Sequence, residues 1–232
     1  MELRLTLTID ATKLEENLGM KMSPLDQKKH FSESLYNIAP SCFLPVITNQ
    51  QQDKIRFLKW GLIPSWSNSN KNTKGLASIA MKSFDDKPLL QKALNDKRCI
   101  TLATGFYLWK ESPAGKIPYY VTLKSKEVFG IAGLWESWEE DENAVNTSCI
   151  ITKKATGRLS YFPSDFPLVI KKDEQNKWLE TGNTNLFLDK FFIPEIDFDY
   201  HPVNRKIIKS LDNDSKFIQM ISYVVAEQTK LF

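Results

Sequence analysis

The sequence predicts an α+β fold dominated by β-strands, with a few short helices packed outside them. Three observations lead there. Apolar and polar residues alternate in short runs along the chain, beginning with Leu3, Leu5, Leu7 and Ile9 against Glu2, Arg4, Thr6 and Thr8. Helical periodicity surfaces only in brief stretches between these runs, without the regular strand and helix alternation of a parallel α/β fold. A chain of 232 residues, 42% hydrophobic and free of linkers or low-complexity tracts, suits one domain over residues 1–232 that buries roughly 70% of its unfolded surface.

In chain order, residues 2–9 form a half-buried strand. Thr12 with Glu15 reads as the capping box of a helix that has Leu14 and Leu18 on one face and ends at Gly19. A Lys- and Ser-rich loop then leads to Tyr36-Asn37-Ile38-Ala39-Pro40, where the proline stiffens a surface turn. Strands at 43–48 and 55–60 run into Trp60-Gly61-Leu62-Ile63-Pro64-Ser65-Trp66, whose glycine permits a backbone path closed to other residues. Trp60 faces inward, and Trp66, ahead of a polar loop, is presented at the surface. Asp85 or Asp86 caps a helix with Pro88 in its first turn and Leu89, Leu90, Ala93 and Leu94 as its apolar stripe. A strand at 98–102 follows, and strands at 105–110 and 117–123 form a hairpin about Pro113-Ala114-Gly115-Lys116. Further strands fit 128–134, 147–152 and 166–170, with a solvated acidic turn at 139–142. Short helices fit 155–161, 173–179 and 214–220, and residues 200–205 return to the sheet.

Composition excludes several functions. No run approaches the ~18 apolar residues of a membrane span, and the first residues begin a strand instead of a leader, which points to the cytoplasm or the nucleoid. Three cysteines and two histidines without ligand spacing exclude a zinc site and suit a reducing compartment. No phosphate loop or dinucleotide fingerprint is present, so neither a metal nor a cofactor is expected. From Lys54 to Lys126 there are 14 Lys and Arg against 4 Asp and Glu, a net of +10 in a chain whose total is +3. Such a basic middle with acidic flanks is what a phosphate-binding face looks like in sequence, and equally what a solvated surface with segregated signs looks like.

Tyr36 to Pro40, Trp60 to Trp66, Arg98-Cys99, Gly105 to Trp109 and His201-Pro202-Val203-Asn204-Arg205 together resemble the SOS-response-associated peptidase family, the abasic-site shielding proteins. The resemblance runs in unbroken motif order from residue 1 to about residue 222. It implies a mainly antiparallel fold with a barrel-like core and a basic groove for single-stranded DNA; separately, the chain is expected to act as a monomer. The resemblance also implies a cross-link in which an N-terminal cysteine's amine forms a Schiff base with the sugar aldehyde and its thiol closes a ring, while an Asn, a Glu and a His position the sugar and move protons.

The departures fall on that chemistry. Where the family has Cys, Asn, Glu and His, this chain has Glu2, Ser78, Leu108 and Pro163; Ala80, Lys82 and Asp165 replace a further Arg, Glu and Arg. Glu2 has no thiol, and methionine removal needs a small second residue, so the ring-closing reaction is not expected at this terminus. A fold that has lost its reaction and keeps a DNA-binding groove is the first reading, with Arg4, Asn37, Pro40, Trp66, Phe106, Lys82, Arg98 and Lys110 as contacts to phosphate and base. A second reading keeps Schiff-base chemistry on Lys82, and a third makes the more apolar pocket a site for a small ligand or a protein segment. A peptidase is disfavoured, because no His lies near Cys42, Cys99 or Cys149 in any motif.

Overall fold

The computed structural model describes residues 3–64, 75–140, 143–163, 165–180, 192 and 197–223. In chain order the elements are β1 (Arg4–Leu7), α1 (Ala11–Leu18), β2 (Lys21–Met22), α2 (Pro24–His30), β3 (Leu35–Ile38), β4 (Phe43–Thr48), β5 (Gln51–Trp60) and β6 (Ser78–Ala80). There follow α3 (Pro88–Asp96), β7 (Arg98–Ala103), β8 (Gly105–Lys110), β9 (Ile117–Leu123), β10 (Phe129–Glu140) and β11 (Asn143–Lys154). Last come β12 (Asp165–Pro167), β13 (Val169–Ile170), α4 (Gln175–Leu179) and β14 (Phe198–Pro202). Among the described residues no helix is long and apolar enough to cross a membrane.

Strands β5, β4, β7, β10 and β11 pair in that order, and β11 returns to β5, so five strands close into a ring. Four of the pairings are antiparallel, and the closing one is parallel, joining Lys59 and Trp60 to Thr147 and Ser148. The Trp60-Gly61 segment makes that seam. Gly61 donates its N–H to Ser148 O at 2.8 Å with φ at +139°, and a Cβ on Gly75 would lie 2.2 Å from the Gly61 carbonyl oxygen. Two passes of chain therefore approach where only glycines fit. Trp60 is fully buried, as expected, and its indole N–H donates to Ala77 O at 2.8 Å; Trp66 lies outside the described residues.

The second sheet, β14-β9-β8-β1-β3, is antiparallel throughout. One face packs toward the ring through Phe106, which meets Phe129 of β10 and Phe166 of β12 edge-to-face at 6.3 and 5.1 Å, with Phe198 of its own sheet 6.0 Å away. The other face carries Tyr107, Trp109 and Tyr120 against Val203, Ile207 and Phe217 of the C-terminal segment. Both faces are thus covered. Thr6, assigned to a polar face by alternation, is buried there and bonds to the hydroxyls of Thr104 and Tyr120 at 3.2 and 3.1 Å.

The α+β class, the antiparallel bias and the barrel-like core agree with the sequence reading. Several details differ. Helix α1 is capped by Asp10, which accepts from Lys13 N, while Glu15 instead bonds Lys21 and the Met22 N–H. Helix α2 occupies part of the expected loop, with Ser23 as its cap and Pro24 behind it. Helix α3 starts after Lys87 with no side-chain cap, so neither Asp85 nor Asp86 serves. Residues 157–161 and 215–218 form 3-10 turns, shorter than the helices expected there.

Candidate nucleic-acid pocket

A pocket of about 640 Å³ is lined by residues from both sheets. Four stretches of chain build it: Leu3 ahead of β1, Gly75 to Ser78 leading into β6, the β8–β9 hairpin, and the β11–β12 connection. On β11 the alternation of side chains turns Thr152 and Lys154 to the same side, and the register pairs Lys154 with Asp165 of β12. Their charges meet at 2.8 Å, and across the hairpin mouth Lys116 Nζ lies 3.2 Å from Glu111 Oε1. Among the described residues the lining therefore carries two cations and two carboxylates, each carboxylate beside a lysine. Trp109 also lines it, and its buried indole N–H has no acceptor among the described residues.

Ser78 and Pro163 come together on this lining, and both are exposed. Leu108 does not join them: it is fully buried, while its neighbours Tyr107 and Trp109 line the wall. A site with no water contact accepts a leucine freely and would charge heavily for an ionised carboxylate. Glu2 lies outside the described residues; Leu3, next to it in sequence, is on the lining.

The residues nominated as DNA contacts are scattered. Arg4 Nη1 donates to Asn37 Oδ1 and Ser210 O, both at 2.7 Å, and Asn37 Nδ2 reaches Ser210 O and Asp212 O at 3.0 Å. Both side chains thus hold the C-terminal segment. Arg98 is fully buried and donates to Leu94 O, Trp178 O and Glu180 O at 2.5–3.2 Å, which corrects its nomination as a phosphate contact. Burial draws its guanidinium down to about 10, still charged at neutral pH. Phe106, also fully buried, offers no ring face to a base. Pro40 is half-buried in the turn before β4, beside Ser41, whose φ is +78°. Lys82 stands exposed on the 3-10 turn Met81–Phe84 and does not line the pocket. Lys110, at the end of β8, places its ammonium 3.7 Å from the centroid of the Tyr161 ring.

Sequence reasoning missed Lys116, Lys154 and Tyr161. The i, i+2 spacing of Thr152 and Lys154 on a predicted strand was a usable signal for one of them. Nothing in the sequence announced that Tyr161 stays exposed. Among the described residues no group of His, Cys, Asp and Glu is disposed to hold a metal.

Compared with known families, residues 1–210 match the model described as SOS response associated peptidase (SRAP). The chain belongs to this family. It is 35% identical over 153 residues to the abasic site processing protein YoqW of Bacillus subtilis, covering 65% of this chain and 68% of that one. It is 31% identical over 188 residues to YobE of the same organism, covering 79% and 84% of the two chains. The abasic site processing protein HMCES of Xenopus tropicalis is 25% identical over 213 residues, with 77% of this chain and 63% of that one covered. A crystal structure of a Bacteroides thetaiotaomicron protein superposes with a TM-score of 0.82 at 22% identity, over 94% of this chain and 99% of that one, so the two share one fold across nearly their whole lengths.

Proposed function

We propose that this chain binds single-stranded DNA at abasic sites in the manner its family relationship suggests, without the family's cross-linking reaction. Relatives named as abasic site processing proteins support the DNA partner. The observation that carries the loss of chemistry is the pocket's lining: it includes no His or Cys among the described residues, and Glu111 and Asp165 are each held beside a lysine. A Schiff base needs a free amine and a group to shuttle its protons. Ser78, Leu108 and Pro163 supply neither, Lys82 lies outside the lining, and the amines that do line it among the described residues, Lys116 and Lys154, are each paired with a carboxylate, which leaves Lys154 as the amine the borohydride test must exclude. Lys116 and Lys154 remain suited to phosphates, because surface ion pairs of this kind are worth at most about 1 kcal/mol and exchange readily for a polyanion. The pocket's volume is in the range of small-ligand sites, enough for a single sugar and its phosphates.

Fluorescence anisotropy tests this with a single-stranded oligonucleotide carrying a tetrahydrofuran residue, at low salt. Binding tighter than that of an unrelated protein of equal charge is expected, weakened in the Lys116→Glu, Lys154→Glu double variant. Affinity no better than that of the charge-matched control would end the DNA reading. Borohydride treatment with true abasic DNA should leave no denaturant-stable adduct; an adduct abolished by Lys154→Ala would return the chain to the enzymes.

A further inference from the structure

We propose that Tyr161, with Lys110 across its ring, is a stacking platform for the unpaired base next to the nucleotide in the pocket; this rests on the DNA-binding reading above. Tyr161 ends the 3-10 turn Gly157–Tyr161 and is 49% exposed. The next residue, Phe162, is buried and meets Tyr119 and Tyr200 edge-to-face at 5.1 and 5.3 Å. Phe162 also contacts Tyr161 at 5.5 Å with the rings nearly perpendicular. The turn is therefore anchored by one aromatic while the other is held outside the core at a fixed angle.

Position joins this ring to the pocket. Alternation along β8 turns the Lys110 side chain away from the face of Trp109 and toward the turn that carries Tyr161, and Tyr161 lies two residues before Pro163, which lines the pocket. The Lys110 ammonium lies over the ring, 3.7 Å from its centroid, and ties the two stretches together beside the pocket, so a base would stack on the opposite face of the ring. Every base has a π-face that matches an exposed aromatic, and a cation beside it meets the phosphate linking that base to the next nucleotide. The pair needs no base-edge hydrogen bonds, so the platform reads single-strandedness and not sequence. An acidic peptide would use the lysine and leave the ring idle.

The experiment places 2-aminopurine beside a tetrahydrofuran residue in a single-stranded oligonucleotide and follows both anisotropy and 2-aminopurine fluorescence. The protein as it stands should bind and quench. Tyr161→Ala and Tyr161→Leu, both at a half-exposed site, should bind roughly fivefold or more weakly and lose the quench, whereas Tyr161→Phe keeps both. Lys110→Ala should weaken binding, flatten its salt dependence and keep the quench. Unchanged binding and quenching in Tyr161→Ala would overturn the platform while leaving DNA binding intact. Absence of any binding by the unaltered protein would overturn both.

Discussion

Burial separates the three thiols into two kinds. Cys99 and Cys149 are fully buried on β7 and β11, with Gly133 between them, whereas Cys42 is exposed in the turn before β4. Burial pushes the Cys149 thiol up to about 12 and raises that of Cys99 as well, with Cys149 adding to the second shift. Thiolate is the reactive form, so an Ellman titration of the folded protein should register one fast thiol, and all three only in denaturant. Two fast thiols in the folded state would contradict this. The same shift has a stability consequence. The folded state keeps Cys149 protonated, so its contribution is fully present below about pH 9 and is lost as pH rises toward about 12. The urea midpoint should hold steady up to pH 8.5 and fall by pH 11, with a shallower fall in Cys149→Ala. A midpoint indifferent to pH across that window would refute the assignment. Residues like these were legible in sequence because they sit on apolar strands. Arg98 was not: nothing local distinguishes a guanidinium that bonds three carbonyls in the core from one that faces solvent.

At the scale of elements, local alternation found almost every long strand, since one covered face leaves a period of two. It misplaced caps by a residue or two where several Asp, Ser and Thr compete, as at Asp10 against Thr12. Closure of the ring was beyond it. The pairing of Lys59 and Trp60 with Thr147 and Ser148 joins segments nearly ninety residues apart, and no local pattern encodes that partner. What the sequence did mark was the glycine at the seam. Gly75 faces the Gly61 carbonyl so closely that a methyl group must displace backbone, a strain of about 2 kcal/mol on the scale of overpacked sites. Gly75→Ala should therefore lower the melting temperature by about 4–8 °C, given that each kcal/mol costs a domain of this size about 2–4 °C. Gly115→Ala is the contrast: its φ of +94° strains a side chain, yet nothing lies within 4 Å, so its effect should stay confined to the hairpin turn. Equal melting of the Gly75 variant and the parent would mean the seam yields without cost.

Across the whole molecule, the pocket exists because distant stretches converge, and motif order located only part of it. Ser78 and Pro163 were placed through the family resemblance; the ion pairs of Lys116 and Lys154 depend on the hairpin and on the register of β11 with β12, which motifs do not specify. The retained family residues Arg4 and Asn37 turn out to join the two ends of the described chain. Both reach Ser210 O, and Asn37 also takes Asp212 O, more than 170 residues away in sequence. The segment they hold covers the outer face of the second sheet with Val203, Ile207 and Phe217, and His201 Nε2 meets Ile218 O at 2.8 Å within it. Removing Arg4 leaves partly buried carbonyls without a charged donor, at a cost of about 1.5–3 kcal/mol. That energy is local, because the ring is closed without this segment. Hydrogen exchange in Arg4→Ala should therefore quicken tenfold or more at amides 207–219, while β7, β10 and β11 exchange as before. Faster exchange throughout, ring included, would instead make Arg4 a support of the whole fold.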